Sequence, residues 1–149
     1  MMIQLYAMSV LVSDIMRKQV ISIDSSLTVQ DAAKMMADSK VGCLVVTDKN
    51  RPAGILTERD FVTKIALLEK SPALQVREIM TFPLVTISPK ETVIKLADLM
   101  KERRIHKVPV TDGDRLVGIV TATDLIRKCI VDADSEMKQI CRSFAQMAF

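Results

Sequence analysis

Two short segments hold the residues best suited to bind a ligand. "GILTERD", residues 54–60, and "GIVTATD", residues 118–124, each place a Thr three residues before an Asp, behind a glycine-led apolar run. A carboxylate accepts hydrogen bonds from two hydroxyls at once, so Asp60 and Asp124 suit a vicinal diol. Thr57 and Thr121 stand where a strand gives way to a helix. Free backbone N–H groups and the positive helix end favour an anion there. The same Thr-x-x-Asp spacing is also a helix-capping arrangement, with the acid in the first turn. The two roles are compatible, and spacing alone leaves both open. A third segment, "KERRIHK" at 101–107, gathers Arg103, Arg104, His106 and Lys107, cations that a phosphate needs. Its counterpart, "ADSKVGC" at 37–43, offers only Lys40. Lys and Arg also suit a helix C-terminus, which is the simpler reading of Arg103.

Other chemistries find little support. His106 is the single histidine and has no Cys near it in sequence, so no metal site is expected. No Ser-His-Asp set, Walker A loop or paired catalytic carboxylates appear, so no catalysis is expected. A net charge of +3 is too mild to imply nucleic-acid binding, and the basic run has no aromatic platforms beside it. The three cysteines, Cys43, Cys129 and Cys141, are odd in number and lack CxxC spacing, which argues for small buried thiols rather than disulfides or zinc. The opening run "MMIQLYAMSVLV" lacks a basic leader and is too short to span a bilayer. The expectation is a cytoplasmic protein with no membrane association.

The elements that must position these residues come as a tandem repeat. Shifting the sequence by 64 residues lays 12–60 over 76–124 without a gap, and 16 of the 49 pairs are identical. "VTD" at 46–48 falls on "VTD" at 110–112, and Gly54, Ile55, Thr57 and Asp60 fall on Gly118, Ile119, Thr121 and Asp124. Two copies are too few for a solenoid and suggest a pseudo-twofold pair. Each copy reads β-α-β-β-α. "VISI" and "LVTI" are β-branched runs. Val29, Ala32, Ala33 and Met36, like Val93, Leu96, Ala97 and Met100, recur at helical spacing. "CLVVT" and "KVPV" are strands, turned by "DKNRP" and "DGDR" into "AGILT" and "LVGIVT". Second helices follow from Glu58 and Ala122. Pro109 cannot donate to a ladder, so its strand is expected at an edge or to be irregular there. The polar segment "LEKSPALQ", 68–75, reads as a linker. Residues 134–149 set Met137, Ile140, Cys141, Phe144 and Met147 on one helical stripe, fit to pack on the module or on a dimer partner rather than on a membrane.

This order of motifs, above all "VREIMTFPLVTISPKETV" and "ADLMKERRIHKVPVTDGDRLVGIVTATDL", resembles the tandem cystathionine-β-synthase (CBS) domain pair, the Bateman module, over about residues 10–131. The resemblance implies an α/β (α+β) fold of two pseudo-twofold related β-α-β-β-α repeats packed sheet to sheet, to which the amphipathic stripe of 134–149 adds a C-terminal helix. The corresponding partition is 1–70 for the N-terminal segment and first repeat, 71–131 for the second repeat and 132–149 for the last helix. It also implies a regulatory adenine nucleotide (AMP, ADP or ATP) as ligand, with S-adenosylmethionine as an alternative. Purine walls would come from Thr81, Val85, Ile105, His106 and Lys107, and from Arg17, Ile21, Val41, Gly42 and Cys43. Each site would be composite. Thr57, Arg59 and Asp60 would face the second repeat's walls, and Thr121, Thr123 and Asp124 the first repeat's. Arg104, His106 and Lys107 would meet phosphate, so the two sites should not be equivalent. Partners implied are a second copy of the chain, through "FVTKIALL" (61–68) and "LIRKCIV" (125–131), and an enzyme or transporter under its control. A dimerisation module that binds no nucleotide is the alternative.

Overall fold

The structure, a computed structural model, describes residues 10–131, with side chains to residue 128. The expectations for the opening run, for the 134–149 stripe and for the Cys129 and Cys141 thiols lie outside the described residues. The chain forms two compact units. One is residues 20–85, and the other joins residues of the leading segment up to Gln19 to those from Thr86 onward. These units cut the chain differently from the sequence copies. The segment that opens each copy is built into the unit completed by the other copy's strands.

In residues 20–85, β1 (Ser22–Asp24) runs parallel to β2 (Cys43–Asp48), and β2 pairs antiparallel with β3 (Arg51–Thr57). The β2–β3 hairpin turns through Lys49 and Asn50, both at positive φ, the left-handed geometry whose twist suits a tight hairpin. The connection from β1 to β2 is a helix, Val29–Ser39. Its apolar stripe buries Val29, Ala32 and Met36 against Ile23, Leu44, Val46 and Leu56. Val76 and Ile79, from the opening of the second copy, complete this core. Hydrogen bonds from Val76 N to Leu27 O (2.8 Å) and from Arg77 N to Ser25 O (3.0 Å) seat that segment.

The helix starts on a reciprocal cap. The Thr28 N–H and hydroxyl donate to Asp31 Oδ2 at 3.0 and 2.8 Å, and the Asp31 N–H donates back to Thr28 Oγ1 at 3.1 Å. Those bonds, the backbone one first, hold the Asp31 carboxyl below the ordinary carboxylate range. A depressed folded-state pKa gives stability that is full above the unfolded group's pKa and is lost as pH falls through the folded one. Asp31→Asn should therefore unfold more readily than wild type in urea at pH 7. That gap should narrow as the pH falls below about 4, the unfolded carboxylate's pKa, and a gap that stays constant with pH would show that the carboxylate charge is not what caps the helix.

In the second unit, β4 (Lys107–Asp112) pairs antiparallel with β5 (Arg115–Thr121), and the helix Val93–Arg103 packs Val93, Leu96 and Met100 into the core with Val108, Val110 and Val120. Val10 and Val12, from the opening of the first copy, join it. The bonds match those of the first unit at the 64-residue offset: Val12 N donates to Glu91 O (2.8 Å) and Ser13 N to Pro89 O (3.0 Å). The expected strand "LVTI" does not form as a ladder; only Ile87 bridges to Val110. Val45 N donates to Ile21 O at 3.1 Å in the first unit, and Pro109, its counterpart, has no N–H to give. The sheet is thus two-stranded here and three-stranded in the other unit.

The second helices also differ. Ala122–Val131 is α-helical. In the first copy a single α-turn, Glu58–Asp60, leads into a π-helical stretch, Phe61–Ala66. The Thr63 hydroxyl donates to Arg59 O at 2.8 Å, competing for a carbonyl that an α-helical N–H would take. Val62, Leu67 and Leu68 are left exposed on this helix and the turn after it.

Candidate functional site

Each Thr-x-x-Asp segment sits where the last strand of a unit becomes a helix, and the two Asp residues are buried, 7% exposed at Asp60 and 9% at Asp124. Ionised side chains are seldom that buried unless paired, so their partners decide what they can do. In each, one oxygen anchors the helix start. Asp60 Oδ2 accepts from Thr57 N (2.8 Å) and Thr57 Oγ1 (3.2 Å). Asp124 Oδ2 accepts from Thr121 N and Thr121 Oγ1, both at 2.9 Å. The cap and the candidate ligand group are thus the same residue, acting through different oxygens.

The other oxygen faces a cation in both units, but the cations come from unrelated positions. Asp60 Oδ1 lies 2.9 Å from Lys64 Nζ, one turn further along its own helix. That ammonium also donates to Ile79 O (2.8 Å) and Thr81 Oγ1 (3.4 Å), which uses all three of its N–H groups. Asp124 Oδ1 accepts instead from Arg17 Nε at 3.1 Å. Arg17 and Thr81 occupy matching positions of the two copies, and matching bridges hold them. Arg17 pairs with Ile119, N to O and O to N both at 2.9 Å; Thr81 pairs with Ile55 at 2.9 and 3.0 Å. So Thr81, a second-copy residue, meets Lys64, the cation on the first copy's Asp60, and Arg17, a first-copy residue, meets the second copy's Asp124 itself.

Glycines permit these meetings. A Cβ on Gly54 would stand 2.7 Å from Thr81 O, and one on Gly118 would stand 2.9 Å from Arg17 O and 2.7 Å from Met16 Sδ. The glycine that opens each "GIxTxxD" segment is therefore required by close backbone approach rather than by a turn.

The remaining site candidates fall as follows. Val41 and Gly42 line a cleft of about 520 Å³ in residues 20–85, with Ala33, Met36, Ala37, Lys40, Glu58 and Phe61. That size accommodates a purine-sized ligand. Gly42 O accepts from Glu58 N at 3.1 Å, as His106 O accepts from Ala122 N at 2.8 Å, so these two carbonyls tie strand entry to helix start. Cys43 and Lys107 face Thr57 and Thr121 across their hairpins. Ile21 packs against the core of residues 20–85, and Ile105 against the core of the other unit. Val85 is half-buried, while Arg59, Thr123 and His106 are exposed. Arg104 is exposed and ends its helix in the left-handed conformation at φ 54°, as Lys40 does in the first copy. The cleft residues Ala33, Met36 and Phe61 carry no sequence signal beyond an apolar helical stripe, which reads equally well as core. Lys64 could have been found, since it lies four residues after Asp60.

Among the described residues no group of three His, Cys, Asp or Glu could hold a metal ion, and no helix is long and apolar enough to cross a membrane.

A family model described as the CBS domain matches residues 12–67 and again 76–131. The chain is 32% identical over 145 residues to the CBS domain-containing protein CBSX3, mitochondrial, of Arabidopsis thaliana, covering 89% of this chain and 70% of that one. Its fold is similar to that of a CBS-domain containing protein from Agrobacterium tumefaciens, with a TM-score of 0.73, 30% identity and coverage of 80% and 93% of the two chains. It is similar as well to a hexameric CBS-CP12 protein from bloom-forming cyanobacteria, with a TM-score of 0.76, 32% identity and coverage of 92% and 85%. With two small mixed helix-and-strand units, each carrying one Thr-x-x-Asp junction, and a family match over most of its length, this chain belongs to the CBS domain family as a tandem CBS pair.

Proposed function

We propose that this CBS pair is a non-catalytic regulatory module that binds an adenine nucleotide (AMP, ADP or ATP) and acts as an energy-state sensor. The observation that carries the reading is the duplicated buried carboxylate. Asp60 and Asp124 each spend one oxygen on the helix cap and turn the other to a cation, leaving acceptor capacity at a helix start for a ribose diol. The cleft beside Val41 and Gly42 supports it with apolar surface for a base. The basic residues Arg104, His106 and Lys107 support a phosphate at one of the two half-sites. A ligand that prefers one arrangement of the module shifts it toward that arrangement, and a regulated enzyme or transporter would read the shift.

Calorimetric titration of the folded chain with AMP, ADP, ATP and S-adenosylmethionine tests this. Heat with a nucleotide is expected. No heat with any of the three nucleotides at high protein concentration would remove the reading, and heat with S-adenosylmethionine alone would replace the ligand.

A second reading, an assembly module, rests on Val62, Leu67 and Leu68, which are 64%, 73% and 56% exposed around one helix. Large apolar side chains grouped on a surface mark interfaces. The hexameric state of the similar cyanobacterial protein favours self-association here, and we place the contact between two copies at this helix. The two readings are compatible: a dimer can be the frame on which a nucleotide acts. We assign the protein to a reducing aqueous compartment such as the cytoplasm, in keeping with three cysteines that are odd in number and lack CxxC spacing.

A further inference from the structure

The two half-sites differ in what happens to their cation when a ligand takes the carboxylate. Lys64 is locked in place: its three N–H groups go to Asp60, Ile79 O and Thr81 Oγ1. Arg17 is hinged. It touches Asp124 through Nε alone, its terminal N–H groups have no hydrogen-bond partner among the described residues, and its side chain is 55% exposed.

A carboxylate offers about four lone-pair positions, and Asp124 already uses three, two on Thr121 and one on Arg17. A diol needs two. It can therefore bind fully only if Arg17 Nε lets go. A neutral nucleoside that displaces Arg17 removes a charge-assisted bond and returns nothing to the guanidinium. A phosphorylated one returns a better partner, because the planar fork matches phosphate oxygens in a bidentate way.

We propose that Arg17 selects phosphorylated over neutral nucleosides at the Asp124 half-site, by exchanging its bond to Asp124 for one to the ligand's phosphate. The Asp60 half-site has Thr81 at the matching position and a Lys64 that cannot follow a ligand, so it lacks this exchange. The inference rests on the nucleotide reading above and adds to it the class of ligand preferred at one half-site and the residue that enforces the preference.

The test is calorimetry on the full chain with AMP and with adenosine, for wild type, Arg17→Met and Arg17→Lys, each first checked for an unchanged melting profile. Wild type should bind AMP at the Asp124 half-site, identified as the site that Asp124→Ala weakens, about tenfold or more tightly than adenosine, the scale of one charge-assisted contact. Arg17→Met should weaken AMP there by about the same factor and leave adenosine within about twofold, or bind it more tightly. Arg17→Lys, which keeps the charge without the fork, should fall between. An AMP-to-adenosine ratio that Arg17→Met does not change overturns the role of Arg17 while leaving the nucleotide reading standing. Equal weakening of both ligands overturns it too, since a merely structural Arg17 would act in that way. Absence of binding by both ligands to wild type overturns the nucleotide reading and this inference together.

Discussion

Gly118→Ala should cost about 2–4 kcal/mol of stability. The new Cβ would lie 2.9 Å from Arg17 O and 2.7 Å from Met16 Sδ. The methionine can swing away, but the carbonyl cannot, because Arg17 and Ile119 are joined by two hydrogen bonds at 2.9 Å. Relief requires loosening that bridge, which adds up to about 1 kcal/mol per bond to an overpacking cost of about 1–3 kcal/mol. The bridge also carries Arg17 to Asp124, so the variant should lose ligand selectivity along with stability. Gly54→Ala should behave alike, with Thr81 O at 2.7 Å. Gly113→Ala is the control. It has nothing within 4 Å and only a φ of +62° to strain, so it should cost about 1 kcal/mol. Urea midpoints of the three variants decide the matter. A Gly118→Ala protein as stable as Gly113→Ala would mean that the crossing segment is not held as described.

Asp124→Ala should weaken nucleotide binding at its half-site by about 10- to 100-fold, Asp60→Ala should weaken it less because the fixed Lys64 leaves that carboxylate one position for a ligand, and each should lower stability by about 2–3 kcal/mol. The stability loss has two parts. A helix cap is worth about 1 kcal/mol. The partly buried Thr N–H and hydroxyl are left without their acceptor, and the cation loses its partner, a smaller term because Arg17 and Lys64 are partly exposed. Thr121→Val separates cap from ligand: it removes one of the two bonds to Asp124 Oδ2 but leaves the carboxylate in place. It should cost about 1 kcal/mol and reduce binding much less than Asp124→Ala. Calorimetric titration beside thermal melting reads both quantities. If both Asp variants bind like the parent while melting earlier, Thr-x-x-Asp serves in this protein only to start two helices.

The asymmetry of the pair links these expectations. The two half-sites share a cap, a glycine and a carboxylate, and differ in the cation at Asp124 or Asp60. Arg17 against Thr81 is a difference visible in the aligned copies, yet the family resemblance implies for Arg17 only a place in a purine wall. Its position on Asp124 Oδ1 depends on a bridge to Ile119, a residue 102 positions away, and no local pattern reports such a pairing. Lys64 was overlooked for another reason. On a helix read as an exposed contact face, a lysine looks like ordinary solvation, and only the π-helical turn and the Ile79 carbonyl show it to be fixed.

The sequence by itself determined the repeat, the kinds of elements and their order, because these rest on short-range properties: apolar spacing, capping residues, turn residues and the missing N–H of Pro109. It also placed both Thr-x-x-Asp pairs at strand-to-helix junctions. The tertiary structure decided which copy's opening segment completes which unit. Residues 12–17 and 76–81 carry nearly the same local pattern, so either could satisfy either sheet's apolar and hydrogen-bonding needs; the choice is made by backbone pairing at a distance, Arg17 with Ile119 and Thr81 with Ile55. That choice puts a guanidinium on one buried carboxylate and a threonine on the lysine that holds the other, and with it the difference between two sites built from the same seven-residue segment.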